Sequence, residues 1–300
     1  MKRKEFIKKA SVIAAGAILM PLSSFGTNKE RLVVLHTNDW HSHINPFPLN
    51  DKKYPGLGGA AKRAALISKI RSQYKNVILL DSGDIFQGTP YFNFYGGELE
   101  FKLMSEMGYD FATLGNHDFD GGIDGFAKQL PNASFDFLSA NYDFNGTILE
   151  GKIAPYAIKR KGKFKIGVFG IGIKLDGLVP KKLYGAVKYL DPIQKANETA
   201  QILKDKGCNL IICLSHLGYK YNSNKVSDTV LAESSSNIDL ILGGHTHTFL
   251  SSPQGIMNQN GKEIFINQTG WAGINLGRVD YETNSPKAAS ILGYDYEKIS

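Results

Sequence analysis

The sequence predicts an α/β layered fold, a four-layer α/β/β/α sandwich, and three features carry that expectation. Short apolar runs alternate with amphipathic segments along most of the chain, as strands interleaved with helices do. From about Glu263 the amphipathic segments stop and two or three strands close the sequence, which fits two packed sheets better than one doubly wound sheet. Five of the apolar runs are followed at once by Gly, Asp, Asn or His.

Taken in order, strands are expected at 32–35, 77–80, 111–114, 135–139, 165–170, 210–214, 238–242, 263–267 and 274–281. Helices are expected at 58–74, 98–107 and 192–206. In the first helix Ala61, Ala64, Ala65, Leu66, Ile67 and Ile70 fall near helical spacing, with Lys62, Arg63 and Lys69 turned away. In the third, Asp191 is placed to cap the N-terminus, Pro192 sits at the first helical position, and Gly207 follows the end.

A length of 300 residues and 42% hydrophobic content suit a globular chain of one or two domains. With 21% charged residues and a mean hydropathy of −0.20, disorder and a multi-span membrane protein are excluded. The net charge of +7 is concentrated at the start, where Lys2, Arg3, Lys4, Lys8 and Lys9 outweigh Glu5; residues 27–300 keep only +3. That balance does not support a nucleic-acid polymer as partner. The basic start precedes the apolar run 12–20, then Pro21, Ser23, Ser24 and Gly26. Residues 1–26 thus read as an export signal, leaving 27–300 as a single domain in the periplasm or outside the cell. The run falls short of the roughly 20 residues that span a bilayer, so no stable membrane span is expected. Residues 3–8 also resemble a twin-arginine signal, with Lys4 where a second arginine is usual. The only cysteines, Cys208 and Cys213, flank one predicted strand. Their Cα atoms would lie about 16 Å apart, beyond the roughly 7 Å a disulfide tolerates, so both are expected to be buried thiols.

The polar words after the apolar runs are the informative part. They read His-Thr-Asn-Asp-Trp-His-Ser-His after Leu35, Asp-Ser-Gly-Asp after Leu80, Gly-Asn-His-Asp after Leu114, Ser-His-Leu-Gly after Leu214 and Gly-Gly-His-Thr-His after Leu242. Ligands of α/β sheets gather at the carboxyl ends of strands, so these words are expected to form one site. Five of the seven histidines stand in them at usable spacing, leaving His36 and His43 as expected structural residues. Asp39/His41 and His245/His247 are spaced i, i+2, which in extended backbone turns each pair toward one side and one metal. The donors are nitrogen and oxygen without thiolate, which selects Mn, Fe, Co, Ni or Zn. The seven candidate ligands Asp39, His41, Asp84, Asn116, His216, His245 and His247 exceed the needs of one ion and suit two divalent ions, about 3.5–4 Å apart, sharing a carboxylate.

Asp39-Xaa-His41, Gly83-Asp84, Gly115-Asn-His-Asp118, His216 and Gly243-Gly-His-Thr-His247 together resemble the calcineurin-like metallophosphoesterase superfamily. The words Leu35-His-Thr-Asn-Asp39, 80–90, 115–120 and Leu138-Ser-Ala-Asn141 are similar to its bacterial periplasmic 5′-nucleotidase and 2′,3′-cyclic phosphodiesterase branch. The resemblance implies one metal on Asp39, His41, Asp84 and His247, and a second on Asp84, Asn116, His216 and His245, with Asp84 bridging. It implies attack on phosphorus by a hydroxide held between the ions. His117 and Asn116 would contact the phosphate, and Asp120 would orient His117 as a proton donor. The substrate implied is a small phosphate ester, most of all a nucleotide. A cyclic nucleotide diesterase, a sulfur-compound hydrolase of the same branch and a non-catalytic secreted metal-binding scaffold are the alternatives. Full-length 5′-nucleotidases of this branch carry a C-terminal nucleotide-binding domain that this sequence does not extend into, so a separately encoded polypeptide is a possible partner.

Three smaller expectations accompany these. Asp118 is read as supporting rather than ligating. Gln87 and Thr89 shape a turn, and Asn141 either turns the chain or supports the site. Tyr91-Phe-Asn-Phe-Tyr95 is read as core rather than as an exposed patch.

Overall fold

The computed structural model describes residues 29–285 and 288–298; the expected export signal, residues 1–26, lies outside them. Two six-stranded sheets form the centre. The first sheet runs β14 (Ala288–Lys298), β13 (Asn275–Ser285), β1 (Glu30–Thr37), β2 (Val77–Asp81), β3 (Phe111–Ala112) and β4 (Asp136–Phe137). The second runs β11 (Gln254–Met257), β12 (Glu263–Asn267), β10 (Leu240–Leu242), β9 (Leu210–Ser215), β7 (Phe164–Ile171) and β6 (Tyr156–Lys161). In each sheet the central strands are parallel: β1 with β2 and β3 in one, β7 with β9 and β10 in the other. The flanking β13 and β6 pair antiparallel.

Side-chain alternation along the strands builds the layers. In β1, Leu32 and Val34 point between the sheets with Ile78, Leu80, Ile166, Ile212 and Leu240. Val33 and Leu35 point the other way, against α1 (Ala60–Gln73) and α3 (Glu98–Met107) through Ile67, Ile70, Phe101 and Met104. On the far side of the second sheet, Phe169, Ile211 and Cys213 meet Ala196, Ala200 and Leu203 of α6 (Pro192–Asp205) and Leu231 of α7 (Asp228–Glu233). Both faces of each central strand are thus buried, which is why these segments are nearly continuous apolar runs. The four-layer α/β/β/α expectation is met.

The predicted helices are all present within two residues, and Asp191 accepts from Gln194 N at the start of α6 as expected. Strands expected at 111–114 and 135–139 shrink to two residues each. Leu138 N donates to Ala112 O and Leu138 O accepts from Thr113 Oγ1, so pairing continues outside ladder geometry. Sequence periodicity did not reveal β6, the β5 (Tyr142–Asp143) and β8 (Lys188–Tyr189) pair, or the short helices α2 (Pro90–Tyr95), α4 (Gly122–Gln129) and α5 (Lys181–Tyr184). Such short elements are held by tertiary contacts rather than by their own propensity. The aromatic run at α2 corrects its expectation. Only Phe92 leans on the core, stacked on Phe86 at 5.2 Å, while Phe94 is 81% exposed and Tyr95 52%. One turn and a half of helix over the surface has room to bury a single face. Cys208 and Cys213 are free and buried, and burial raises both thiols. Among the described residues no helix is long and apolar enough to cross a membrane.

His36 is structural, as expected: it is fully buried and paired with Asn267 at 3.0 Å. Burial pushes it down to about 3. The native state therefore keeps it neutral, whereas the unfolded chain protonates it below about pH 6.5. Stability should fall by up to about 1.4 kcal/mol per pH unit from this residue between about pH 6.5 and 3. Urea titrations across that range should show a shallower acid decline in His36→Gln than in the wild type; an identical slope would refute the assignment.

Candidate metal centre and active site

The loops after β1, β2, β3, β9 and β10 meet at one edge of the two sheets. They adopt backbone that most residues avoid. Asp39 (φ 50°), His41 (50°), Asp84 (55°), His245 (72°) and His247 (51°) all lie in the left-handed region. Conformations of this kind cost about 1 kcal/mol or more each and persist where surrounding bonds fix them. Those bonds are present: Asp39 N donates to Gly83 O at 2.9 Å, His41 N to Asp84 O at 3.0 Å, and Ala272 N to Asp39 O at 2.8 Å. A Cβ on Gly115 would collide with the Asp84 carboxylate, so the β2 and β3 loops can approach only with glycine there.

Two groups of donor atoms result. One contains Asp39, His41 and His247; the other contains Asp84, His216 and His245; within each, one donor atom per residue lies within 4.8 Å of the others. Each group draws on both sheets. Asp39 and His41 share a group as their spacing predicts, but His245 and His247 do not. All four residues stand in left-handed rather than extended backbone, so the extended-strand geometry assumed for i, i+2 spacing holds for neither pair, and the loop torsions decide which way each side chain turns. Asn116 adjoins the second group, since the next amide, His117 N, donates to Asp84 Oδ1 at 2.7 Å.

The surroundings aim the rings. His216 Nδ1 bonds to Ser82 O at 2.6 Å, and His41 Nδ1 lies 3.2 Å from Gln87 O and 3.3 Å from Phe86 O. Each Nδ1–H facing a carbonyl leaves Nε2 free to ligate. His41 Nε2 then lies 2.9 Å from His247 Nε2, and His216 Nε2 lies 3.0 Å from Asp84 Oδ2. Asn116 Oδ1 is buried without a hydrogen bond. Burial pushes the His216 imidazole down, but the charge and hydrogen bond of Asp84, the charge of Asp39 and the Ser82 carbonyl together lift the group to about 10. Asp84 is itself pushed up by burial and held below the usual carboxylate range by His216 and His41. Buried carboxylates that demand positive charge, convergent imidazole nitrogens and an orphaned amide oxygen fit borderline divalent cations.

Beside these groups His117 is half-buried and its Nδ1 lies 2.7 Å from Asp120 Oδ2. That hydrogen bond raises the imidazole above its ordinary value, against the effect of burial. Other expectations resolve as follows. Asn141 is buried and bonded to Gly172 N and O at 2.8 Å each, which ties it to the end of β7. Thr89 donates to Ser42 O and shapes the turn with Gln87. His43 packs on Phe47 and Trp271.

Two contributors were not singled out from sequence. Asn38 donates to Asp39 Oδ2 and Gly270 O at 2.6 Å each while accepting from Thr269, so it ties the β1 loop to the β12–β13 connection. Trp271, on that connection, lies flat against His247, with ring centroids 5.5 Å apart and planes 3° from parallel. Nothing local distinguished it from a core tryptophan.

Asp118 carries the largest structural duty. Its carboxylate accepts from the amides of Asp84, Ile85, Phe86 and Gly115 at 2.8–3.3 Å while fully buried. Burial, followed by the charge of Asp84, raises this carboxyl, and the amide donors oppose that rise. Asp118→Asn would point an amide donor at other donors, which should cost roughly 3 kcal/mol; chemical denaturation measures it, and a loss below about 1 kcal/mol would refute this role.

The calcineurin-like phosphoesterase family model matches residues 32–249. A snake venom 5′-nucleotidase from Naja atra is 36% identical over 73% of this chain and 41% of its own length. The NAD 5′-nucleotidase of Haemophilus influenzae is 32% identical over 88% of this chain and 47% of its own. The crystal structure of a 5′-nucleotidase precursor from Thermus thermophilus superposes with a TM-score of 0.78 at 34% identity, covering 89% of this chain and 54% of that one. The chain thus spans less than half the length of the curated relatives it matches. Motif order, layered fold and clustered donors agree: the chain belongs to the calcineurin-like phosphoesterase family.

Proposed function

We propose that the protein is an exported metal-dependent phosphoesterase acting on small phosphate esters, with nucleotides as the favoured class. The observation that carries this reading is the pairing of two donor groups with a half-exposed, carboxylate-backed histidine at their edge. Relatives named 5′-nucleotidases support the substrate class.

Asp39, His41, Asp84 and His247 would hold one divalent cation, and Asp84, Asn116, His216 and His245 the other. When bound, such a pair neutralises charge on the phosphoryl group and supplies a nucleophile at neutral pH. The protein's own contribution is position and protons. Asp120 fixes the His117 ring through Nδ1, leaving Nε2 for the substrate. A protonated His117 then stabilises charge on the phosphoryl oxygens and gives its proton to the departing oxygen. Trp271 holds the plane of His247, whose Nε2 lies 2.9 Å from His41 Nε2 and 3.3 Å from Asp39 Oδ1.

His117→Ala should lower kcat on the order of 10²–10⁴-fold for AMP, with less loss for p-nitrophenyl esters, whose leaving group needs no proton. Equal losses on both would remove His117 from the proton-donor role. Removing metal with a chelator should abolish turnover, and Mn²⁺ should restore it. Metal uptake without hydrolysis of AMP or bis(p-nitrophenyl) phosphate would instead identify a non-catalytic protein. Trp271→Ala should weaken Mn²⁺ binding roughly tenfold by calorimetry, the usual scale for groups that orient a metal ligand; unchanged affinity would refute that role.

A further inference from the structure

A cavity of about 260 Å³ beside the β5–β8 pair combines a ring-lined floor with a cationic rim. Tyr142 and Tyr184 are buried in its floor and Tyr189 is half-buried at its side. Lys174, Lys181 and Lys188 are exposed around it. None of these residues belongs to the donor groups or to the His117–Asp120 pair.

The charges are poised rather than satisfied. Lys174 lies 3.5 Å from Asp176 and Lys188 lies 3.6 Å from Asp143, while Lys181 sits 4.4 Å above the Tyr184 ring. Exposed pairs of this kind contribute little, so the ammonium groups can turn to a ligand at small cost. Three lysines against two acids leave one positive charge in excess. Tyrosine rings offer planar faces that favour another ring. The volume lies below the roughly 300–1,000 Å³ of drug-sized sites, which limits the occupant to about one substituted ring.

We propose that this cavity binds a small aromatic carboxylate: the ring lies among the tyrosines and the single anionic group meets the lysine rim. A phosphate monoester carries close to two charges at neutral pH and matches the excess of one less well. The floor communicates with the candidate active site. Tyr142 packs edge-on against Phe119 at 5.6 Å, two residues from His117, and α5, which carries Lys181 and Tyr184, packs on α4 just beyond Asp120. The proposal does not depend on the phosphoesterase reading.

The test is a ¹⁹F NMR titration of the chelator-treated full chain with 4-fluorobenzoate. Saturable broadening is expected. Lys181→Ala should weaken it about threefold, the upper range for an exposed charge contact. Tyr189→Ala should weaken it about fivefold, the scale of one ring–ring contact. The proposal fails if no saturable change is seen, or if either substitution leaves the affinity unchanged. It also fails if phenyl phosphate displaces the probe at lower concentration than benzoate does.

Discussion

The arrangement of the site depends on one buried carboxylate. Asp118 gathers the amides at the start of the β2 loop and the amide of Gly115 in the β3 loop, and so presses two chain segments together below the surface. Asp84 and Gly115, the residue before Asn116, are held side by side because their amides share this acceptor. The close approach then dictates glycine at 83 and 115, since side chains there would occupy the same space. Four amide donors also compensate a charge that would otherwise be costly to bury.

A second layer of support comes from the opposite sheet. Ser82 O holds His216, Asn38 fixes both Asp39 and the β12–β13 connection, and His245 N donates to both oxygens of Asp39 at 3.0 Å. The strained left-handed backbone at the donor positions is therefore over-determined by bonds from several strands. Such local strain is the kind that a fold can store where a side chain must point against its preferred direction.

Much of this was legible in the residues themselves. The central strands declare themselves because both faces are buried, and the donor words declare themselves because they follow those strands directly. What stayed hidden has physical causes. β6, with Lys159, Arg160 and Lys161, lies at a sheet edge and lacks the apolar run of its neighbours. The Tyr91–Tyr95 run looked like core because hydrophobicity alone does not reveal how many faces of a short helix have something to lie against. Division of His245 and His247 between the two groups follows from backbone torsions, which spacing does not encode. Trp271 acts through a ring stacked on a residue 24 positions earlier, a relation set by the meeting of the β10 and β12 loops.

Each donor group takes residues from both sheets, beside hydrogen bonds such as His36 to Asn267 and His245 N to Asp39 that join the layers at that end, while the interior between the sheets is apolar. A cation bound at such a seam would act as a rivet, fixing the lateral alignment of the layers at one end. In a chain whose two thiols remain apart and reduced, that rivet is the strongest crosslink its described side chains are arranged to make. Loading would then be as much a step of maturation as of catalysis, completed only once residues as distant as Asp39 and His247 have come together.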